Sequence, residues 1–202
     1  VAAADGTYKV GDNIDITVTY DEDVSVTGTP TLTLSNGATA TYQSGSGTTA
    51  LVFRYTVAEG DTNSSDLSVS SYTGVITDGS GNTAGAASGY LGAVIVDANS
   101  PVITVTSGTD TVSTGSSWTD AGATADGGET VTASGTVDTS TIGSYIITYN
   151  ATDTSDNVGT ATRTVTVIDT TAPTFVLVAA ADGTYKVGDN IDITVTYDED
   201  VS

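Results

Sequence analysis

The chain has no cysteine, no histidine and no methionine. Without thiols there is no disulfide framework and no thiolate metal site. Without imidazole the commonest general base and the commonest zinc ligand are both missing. The usual nucleophile–base pairs of covalent catalysis therefore cannot be assembled. No glycine-rich loop sits between a strand and a helix to hold phosphate. Paired carboxylates of the glycosidase kind occur only in turns and linkers, with no cleft suggested between them. The sequence reads as a non-enzyme with no small-molecule substrate.

Positive charge is almost as scarce. Lys9, Arg54, Arg163 and Lys186 stand against 25 acids, for a net charge of −21. Such a chain repels nucleic acid and anionic membrane surfaces, and its natural partners are counter-cations. Long apolar runs are missing too. The longest, residues 175–181, has seven residues, against about 20 for a membrane-spanning helix, so no membrane insertion is expected. Aromatics make up 6% of residues, mostly in strand-core register. That argues against a carbohydrate-binding module, which would display several on one exposed face.

What remains is rich in Thr, Ser, Gly, Val, Ala and Asp, and it repeats. Residues 1–25, VAAADGTYKVGDNIDITVTYDEDVS, recur without change at 178–202, an offset of 177. The simplest reading is a stretch of a tandem array with that period, covering one full repeat and the opening of the next. Without the duplicate, a repeat carries 19 acids and three bases.

Period-2 alternation predicts strands throughout. Ile14, Ile16, Val18 and Tyr20 share one face; Leu51, Phe53, Tyr55 and Val57 share another, with Arg54 outward. Leu32 and Leu34, the trio Tyr145, Ile147 and Tyr149, and the pair Val165 and Val167 follow the same rule. SNG, SGSG, DGSGN and DGG supply turns between them. Two similar stretches, VDANSPVITV (96–105) and IDTTAPTFVL (168–177), end one strand in Asp and open the next after Pro. They punctuate the chain into a larger domain at 1–99, incomplete at its first strand, a smaller one at 100–170, and the start of the next repeat at 171–202.

The stretch YKVGDNIDITVTYDEDVSVTGTPTLTLSNGATATY, continued by LVFRYTVAEGD and GVITDGSGNTAG, resembles the bacterial Ig-like repeats of giant surface adhesins. PVITVTSGTDTVSTGSSWTDAGATADGG, with SYIITYNATDTSDNVGTATRTVTVIDTTAP, resembles the short Ig-like module of bacterial surface proteins, related to hyalin repeats. Asp156 in DTSDN departs from the S-G-N often found there. The resemblance implies an all-β chain of tandem Ig-like β-sandwiches, about seven strands each, arranged end to end. It also implies an extracellular, cell-surface location and the role of spacing an adhesive tip from the cell. Neighbouring repeats of the same chain are then the partners.

An Ig-type path puts the B–C and F–G loops at the end where the chain enters a domain. With a strand at 14–20, Asp21 and Asp23 lie there with Asp78 and Asn82 of DGSGN, next to a linker carrying the equivalent of Asp169. In the smaller domain Asp153, Asp156 and Asn157 meet the linker residues Asp97 and Asn99. Oxygen donors of this type suit Ca²⁺ with six to eight ligands at about 2.3–2.6 Å, and the ion would stiffen each junction. The same Asp and Asn residues also fit plain turn capping. Asp5, Asp12 and Asp61 fall at the opposite end, as solvated turn residues. Trp118 reads as a plug in a small core, and Tyr145 and Tyr149 as inward-facing or as making a corner hydrogen bond. Lys9, the lone lysine of a repeat, has no assigned partner. The expected function is a spacer or stalk repeat of a long adhesin, of the kind that builds biofilm. The alternative is a subunit of a head-to-tail filament in which identical subunits complete one another by strand donation.

Overall fold

The computed structural model describes residues 1–85, 87–178 and 182–198. Every regular element among them is a strand, so the chain is all-β, as the alternation predicts. It divides into two compact units: Val1–Gly108 with Asp120–Thr136 and Ile146–Arg163, and Thr109–Thr119 with Val137–Tyr145 and Thr164–Ser202.

The first strands are β1 (Gly6–Lys9), β2 (Asn13–Leu34), β3 (Thr39–Ser44), β4 (Thr48–Thr56), β5 (Ser68–Asp78), β6 (Gly89–Tyr90) and β7 (Val94–Asp97). Strand β2 organises them. Its first half pairs with β4, from Asn13↔Thr56 to Thr19↔Ala50, and its second half pairs with β5, from Val24↔Asp78 to Leu34↔Val69. Strand β3 pairs with both β2 and β4, so the sheet wraps around one core. Ile14, Ile16, Val18, Leu32 and Leu34 of β2 are buried against Leu51, Phe53 and Tyr55 of β4 and Val69 and Ile76 of β5. Tyr42 meets Phe53 edge-on, with ring centroids 5.8 Å apart, the arrangement aromatic quadrupoles favour.

Asp21, Glu22 and Asp23, expected in a loop, lie inside the continuous β2. A register shift between Thr19 and Val24 takes the place of the loop. It turns the strand from one partner to the other while keeping Val18 and Val24 inward. A second shift, between Thr27 and Thr31, brings Pro30 against β5. A Cβ on Gly74 would lie 2.7 Å from the Pro30 Cα, and Gly74 has φ +111, so only glycine fits there. Strands β1 and β7 pair in parallel, with Lys9 opposite Asp97.

After these come β8 (Ile103–Val105), β9 (Thr111–Ser113), β10 (Ala123–Ala125), β11 (Thr132–Ser134), β12 (Gly143–Thr152) and β13 (Val158–Ile168). β8 pairs with β10, and the others form a sheet in the order β11, β12, β13, β9. Val112, Val165 and Val167 are buried together, with Trp118, Val137 and Tyr145 packed on them. Trp118 is thus a partly buried plug, and its indole N–H donates to the Thr109 carbonyl at 2.8 Å. Tyr145 hydroxyl donates to the Thr141 carbonyl four residues upstream, at 2.9 Å. This is the corner bond typical of Ig-type sandwiches at the start of the corresponding strand.

The last pair is β14 (Phe175–Val178) with β15 (Thr194–Tyr197). Ile191, Ile193 and Val195 repeat Ile14, Ile16 and Val18. The earlier three are 0, 0 and 4% exposed; the later three are 52, 63 and 42% exposed. One side chain should therefore matter very differently in its two positions. Ile16→Ala should cost about 2–5 kcal/mol and Ile193→Ala no more than about 0.5 kcal/mol. Denaturant midpoints of the two variants check this.

Candidate functional site

The chain between β7 and β8 is held from both sides, within the first compact unit. On one side is the loop after β4. Gly60 N–H donates to the Ala98 carbonyl at 2.8 Å. The Asn63 carboxamide accepts from Ala98 N–H at 2.7 Å and donates to Asp97 Oδ1 at 2.8 Å. Glu59 accepts from both the amide and the hydroxyl of Ser100, at 3.0 and 2.7 Å. The Ala98 amide and carbonyl and the Ser100 amide are thus all satisfied by the loop after β4.

On the other side is the β12–β13 turn, residues 153–157. Asp153 Oδ1 accepts from the Ser155 and Asn157 amides at 2.8 and 2.9 Å, which folds the turn tightly. Asp156 adopts φ +66 in it, a conformation that glycine takes without cost and that Asp and Asn tolerate better than most. The turn presents two side chains to the linker. Ser155 hydroxyl donates to Asp97 Oδ2 at 2.7 Å. Asn157, 2% exposed, donates through Nδ2 to the Asp97 carbonyl at 3.1 Å and to Asp153 Oδ2 at 3.0 Å. Its Oδ1 accepts from Val10 N–H at 2.9 Å. Asn157 thus ties three chain segments together. Lys9 completes the contact, its ammonium donating to the Asp156 carbonyl at 3.1 Å. Gly159 is needed for clearance, since a Cβ there would fall 1.9 Å from the Pro101 carbonyl oxygen.

Val10 is available because its turn closes on itself. Asp12 N–H donates to the Lys9 carbonyl, and Asp12 Oδ2 accepts from Lys9 N–H, both at 3.0 Å. The acids read from sequence as solvated turn residues are therefore more engaged than expected. Asp61 Oδ2 accepts from Tyr55 hydroxyl at 2.7 Å and Ala58 N–H at 2.9 Å, and Asp5 accepts from Ala93 N–H at 2.8 Å. Burial, with the Asp61 carboxylate beside it, pushes the Tyr55 hydroxyl up to about 12.

The candidate cation ligands separate into groups. Asp97, Asn99 and Asp153 line one depression of about 350 Å³ with Asp126 and Glu129. Asp156 and Asn157 line another, together with Lys9. Asp21, Asp78 and Asn82 share a depression of about 210 Å³, and Asp23 is exposed beside them in sequence. Asp78 caps its own turn there, accepting from Ser80 and Asn82 amides at 2.8 Å and from Asn82 Nδ2 at 2.7 Å. Those bonds, the Asn82 side chain foremost, hold its carboxyl below the usual range. Asp169 lies in the second unit, where it accepts from Thr171 N–H at 2.8 Å. Among the described residues, no group of three or more acidic side chains is arranged to hold a metal ion.

Sequence reasoning also passed over Asp120. Burial alone would raise its carboxyl. The Tyr149 hydroxyl, the Gly122 amide and the Arg163 charge outweigh that and hold it low. Arg163 is buried, 3.9 Å from Asp120 Oδ1, and donates to the Thr106 carbonyl. Arg163 sits in strand alternation facing inward, and that register was the available signal.

The corner tyrosine and the all-strand sheets fit an Ig-like β-sandwich fold. Residues 103–167 match the family described as bacterial surface protein, Ig-like domain. No curated protein and no solved structure matches the chain.

Two outcomes follow from this geometry. Asn157→Ala leaves Val10 N–H and the Asp97 carbonyl without their partner. It should lower stability by about 1–3 kcal/mol, read from denaturant midpoints. Asp153 has its carboxyl held low: burial opposes this, but bonds from Asn157 and Ser155 and the charge of Lys9 prevail. A depressed folded-state value gives stability that is complete above the unfolded value of about 3.9 and is lost as pH falls through the folded value. The stability gap between wild type and Asp153→Asn should therefore be constant from pH 5 to 8 and close below about pH 4, as followed by thermal melts.

Proposed function

We propose that the chain is a structural spacer, a stalk repeat of an extracellular bacterial surface protein. Its junctions keep their geometry through the protein's own hydrogen bonds. The observation that carries this reading is the buried Asn157 carboxamide, which bonds Val10 of β1, Asp97 of the linker and Asp153 of its own turn. A swivelling junction would leave those groups to water. Here they are committed, and Glu59, Gly60 and Asn63 bond the backbone of Ser100 and Ala98. The match of residues 103–167 to a surface-protein Ig-like family supports a surface location and a non-enzymatic role. Adhesion and biofilm building belong to this proposal through whatever the stalk carries.

Calcium enters as a second component. The depression of Asp97, Asn99, Asp126, Glu129 and Asp153 gathers negative charge, and Glu129 Oε2 is buried without a hydrogen-bond partner. Lys9 already supplies a positive charge near Asp153, so Ca²⁺ adds to a junction that holds without it.

Thermal unfolding in chelator and in millimolar Ca²⁺ tests both components. The fold should melt cooperatively in chelator. Saturation at 100 times the dissociation constant would add about 2.7 kcal/mol per site. That shift should vanish in Asp126→Asn/Glu129→Gln while the melting temperature in chelator is kept. A junction that loses its order in chelator would overturn the hydrogen-bonded spacer. The absence of any Ca²⁺ shift would remove calcium from it.

A further inference from the structure

The SNG turn between β2 and β3 does more than reverse the chain. Asn36 is followed by Gly37, and every other asparagine in the sequence is followed by a residue with a side chain. Gly37 has φ +86, and a Cβ there would meet nothing within 4 Å. The turn therefore selects glycine for its backbone conformation rather than for lack of room. The same choice leaves the Gly37 nitrogen open to approach. The Asn36 carboxamide is already folded over that peptide, because its Oδ1 accepts from Ala38 N–H at 3.1 Å. That bond draws electron density from Cγ and is in place to stabilise negative charge on the oxygen during attack. One bond holds the reaction back: Gly37 N–H donates to the Leu34 carbonyl at 3.0 Å. Ser35 and Gly37 are exposed, so that bond can open locally with the core intact.

The nitrogen of the carboxamide bears on the loop after β4. Asn36 Nδ2 donates to the Tyr55 hydroxyl and to the Thr62 carbonyl, both at 3.3 Å. Tyr55 is buried, and its hydroxyl proton goes to Asp61 Oδ2 at 2.7 Å. The same loop carries Glu59, Gly60 and Asn63, which bond Ser100 and Ala98. We propose that Asn36 is a site of spontaneous deamidation, and that its conversion loosens the loop's hold on the linker. The Gly37 nitrogen gives up its proton and bonds Asn36 Cγ. The Cγ–Nδ2 bond then breaks, and the nitrogen takes up a proton and leaves as ammonia. Water opens the cyclic imide at either carbonyl, giving aspartate or isoaspartate, so a water is consumed for each ammonia released. The product has no donor for Tyr55 or Thr62, and it sets a second carboxylate beside a hydroxyl already committed to Asp61. Isoaspartate also adds a carbon to the backbone of the turn. The meaning of this as ageing of a stalk rests on the spacer reading; the chemistry and the loosening do not.

The test has two arms, both on the full chain. In the first, folded protein is kept in mildly alkaline buffer and its proteolytic peptides are weighed over time. A gain of about 1 Da, an amide becoming an acid, is expected first at Asn36, well ahead of Asn63 and Asn99, each followed by Ser. It should be absent at that position in Asn36→Gln, whose longer side chain closes a less favourable ring. In the second arm Asn36→Asp stands in for the product, and hydrogen exchange followed by NMR reads the loop. The amides of Ala98 and Ser100 should exchange about tenfold faster than in the wild type, the factor that loss of one anchoring bond implies. Those of Ile16 and Phe53 should stay protected, and so should Val10, held by Asn157. Gain at Asn36 no faster than at Asn63 and Asn99 would overturn the site. Unchanged exchange at Ala98 and Ser100 would overturn the loosening, whereas fast exchange of Val10 in the wild type would count against the spacer reading alone.

Discussion

The carboxamide of Asn157 makes three commitments at once, because one short side chain carries both an acceptor and a two-proton donor. Its oxygen takes the Val10 amide, and its nitrogen gives to Asp97 and Asp153. An aspartate would have no donor, and a serine would not reach. Because the group is buried, each bond lost exposes a partner to an apolar surrounding, and that asymmetry makes the contact specific. The turn that positions it exists because Asp153 gathers the amides of residues 155 and 157. Gly159 then allows Pro101 to approach. Remove the carboxamide and the reason for the rest of this geometry goes with it.

Charge shapes the same place. A chain with net charge −21 has few cations to use, and one of them, Lys9, reaches the acidic turn. It arrives there because the parallel pairing of β1 with β7 sets Lys9 opposite Asp97. The scarcity of basic residues makes their placement informative. Arg54 pairs with Asp15 across strands on an exposed face, and Arg163 is buried beside Asp120. Each meets a carboxylate or carbonyl that would otherwise stand against other acids.

The duplicated segment shows how much structure a local sequence carries. Alternation at Ile14, Ile16 and Val18 correctly announced a strand and its inward face, because the rest of the fold supplies a surface for that face. The same letters at residues 190–193 form no regular strand. The segment equivalent to β1 forms none either, since β1 exists through pairing with β7. Strand identity was legible where β4 and β7 were present to receive it, and the context rather than propensity decided the outcome. The candidate site divides in the same way. Asp97, Asp153 and Asn157 were visible as turn and linker residues, and the fold brings Asn157 to the Asp97 carbonyl while Asp153 folds the turn that carries it. Lys9, Val10, Glu59 and Asn63 were not visible. Lys9 and Val10 reach the β12–β13 turn, and Glu59 and Asn63 the linker, only through the tertiary fold. The continuous β2 across Asp21, Glu22 and Asp23 was hidden for a related reason: a polar triplet looks like a loop unless both neighbouring strands are known.

The measurement that bears most directly on the hydrogen-bonded junction is amide hydrogen exchange at Val10, followed by NMR in the presence of chelator. Val10 N–H has a side-chain acceptor from a turn 147 residues away. The account predicts slow exchange in the wild-type chain and free exchange in Asn157→Ala, with the amides of Ile16 and Phe53 protected in both. Rapid exchange of Val10 in the wild type, alongside a protected core, would contradict it.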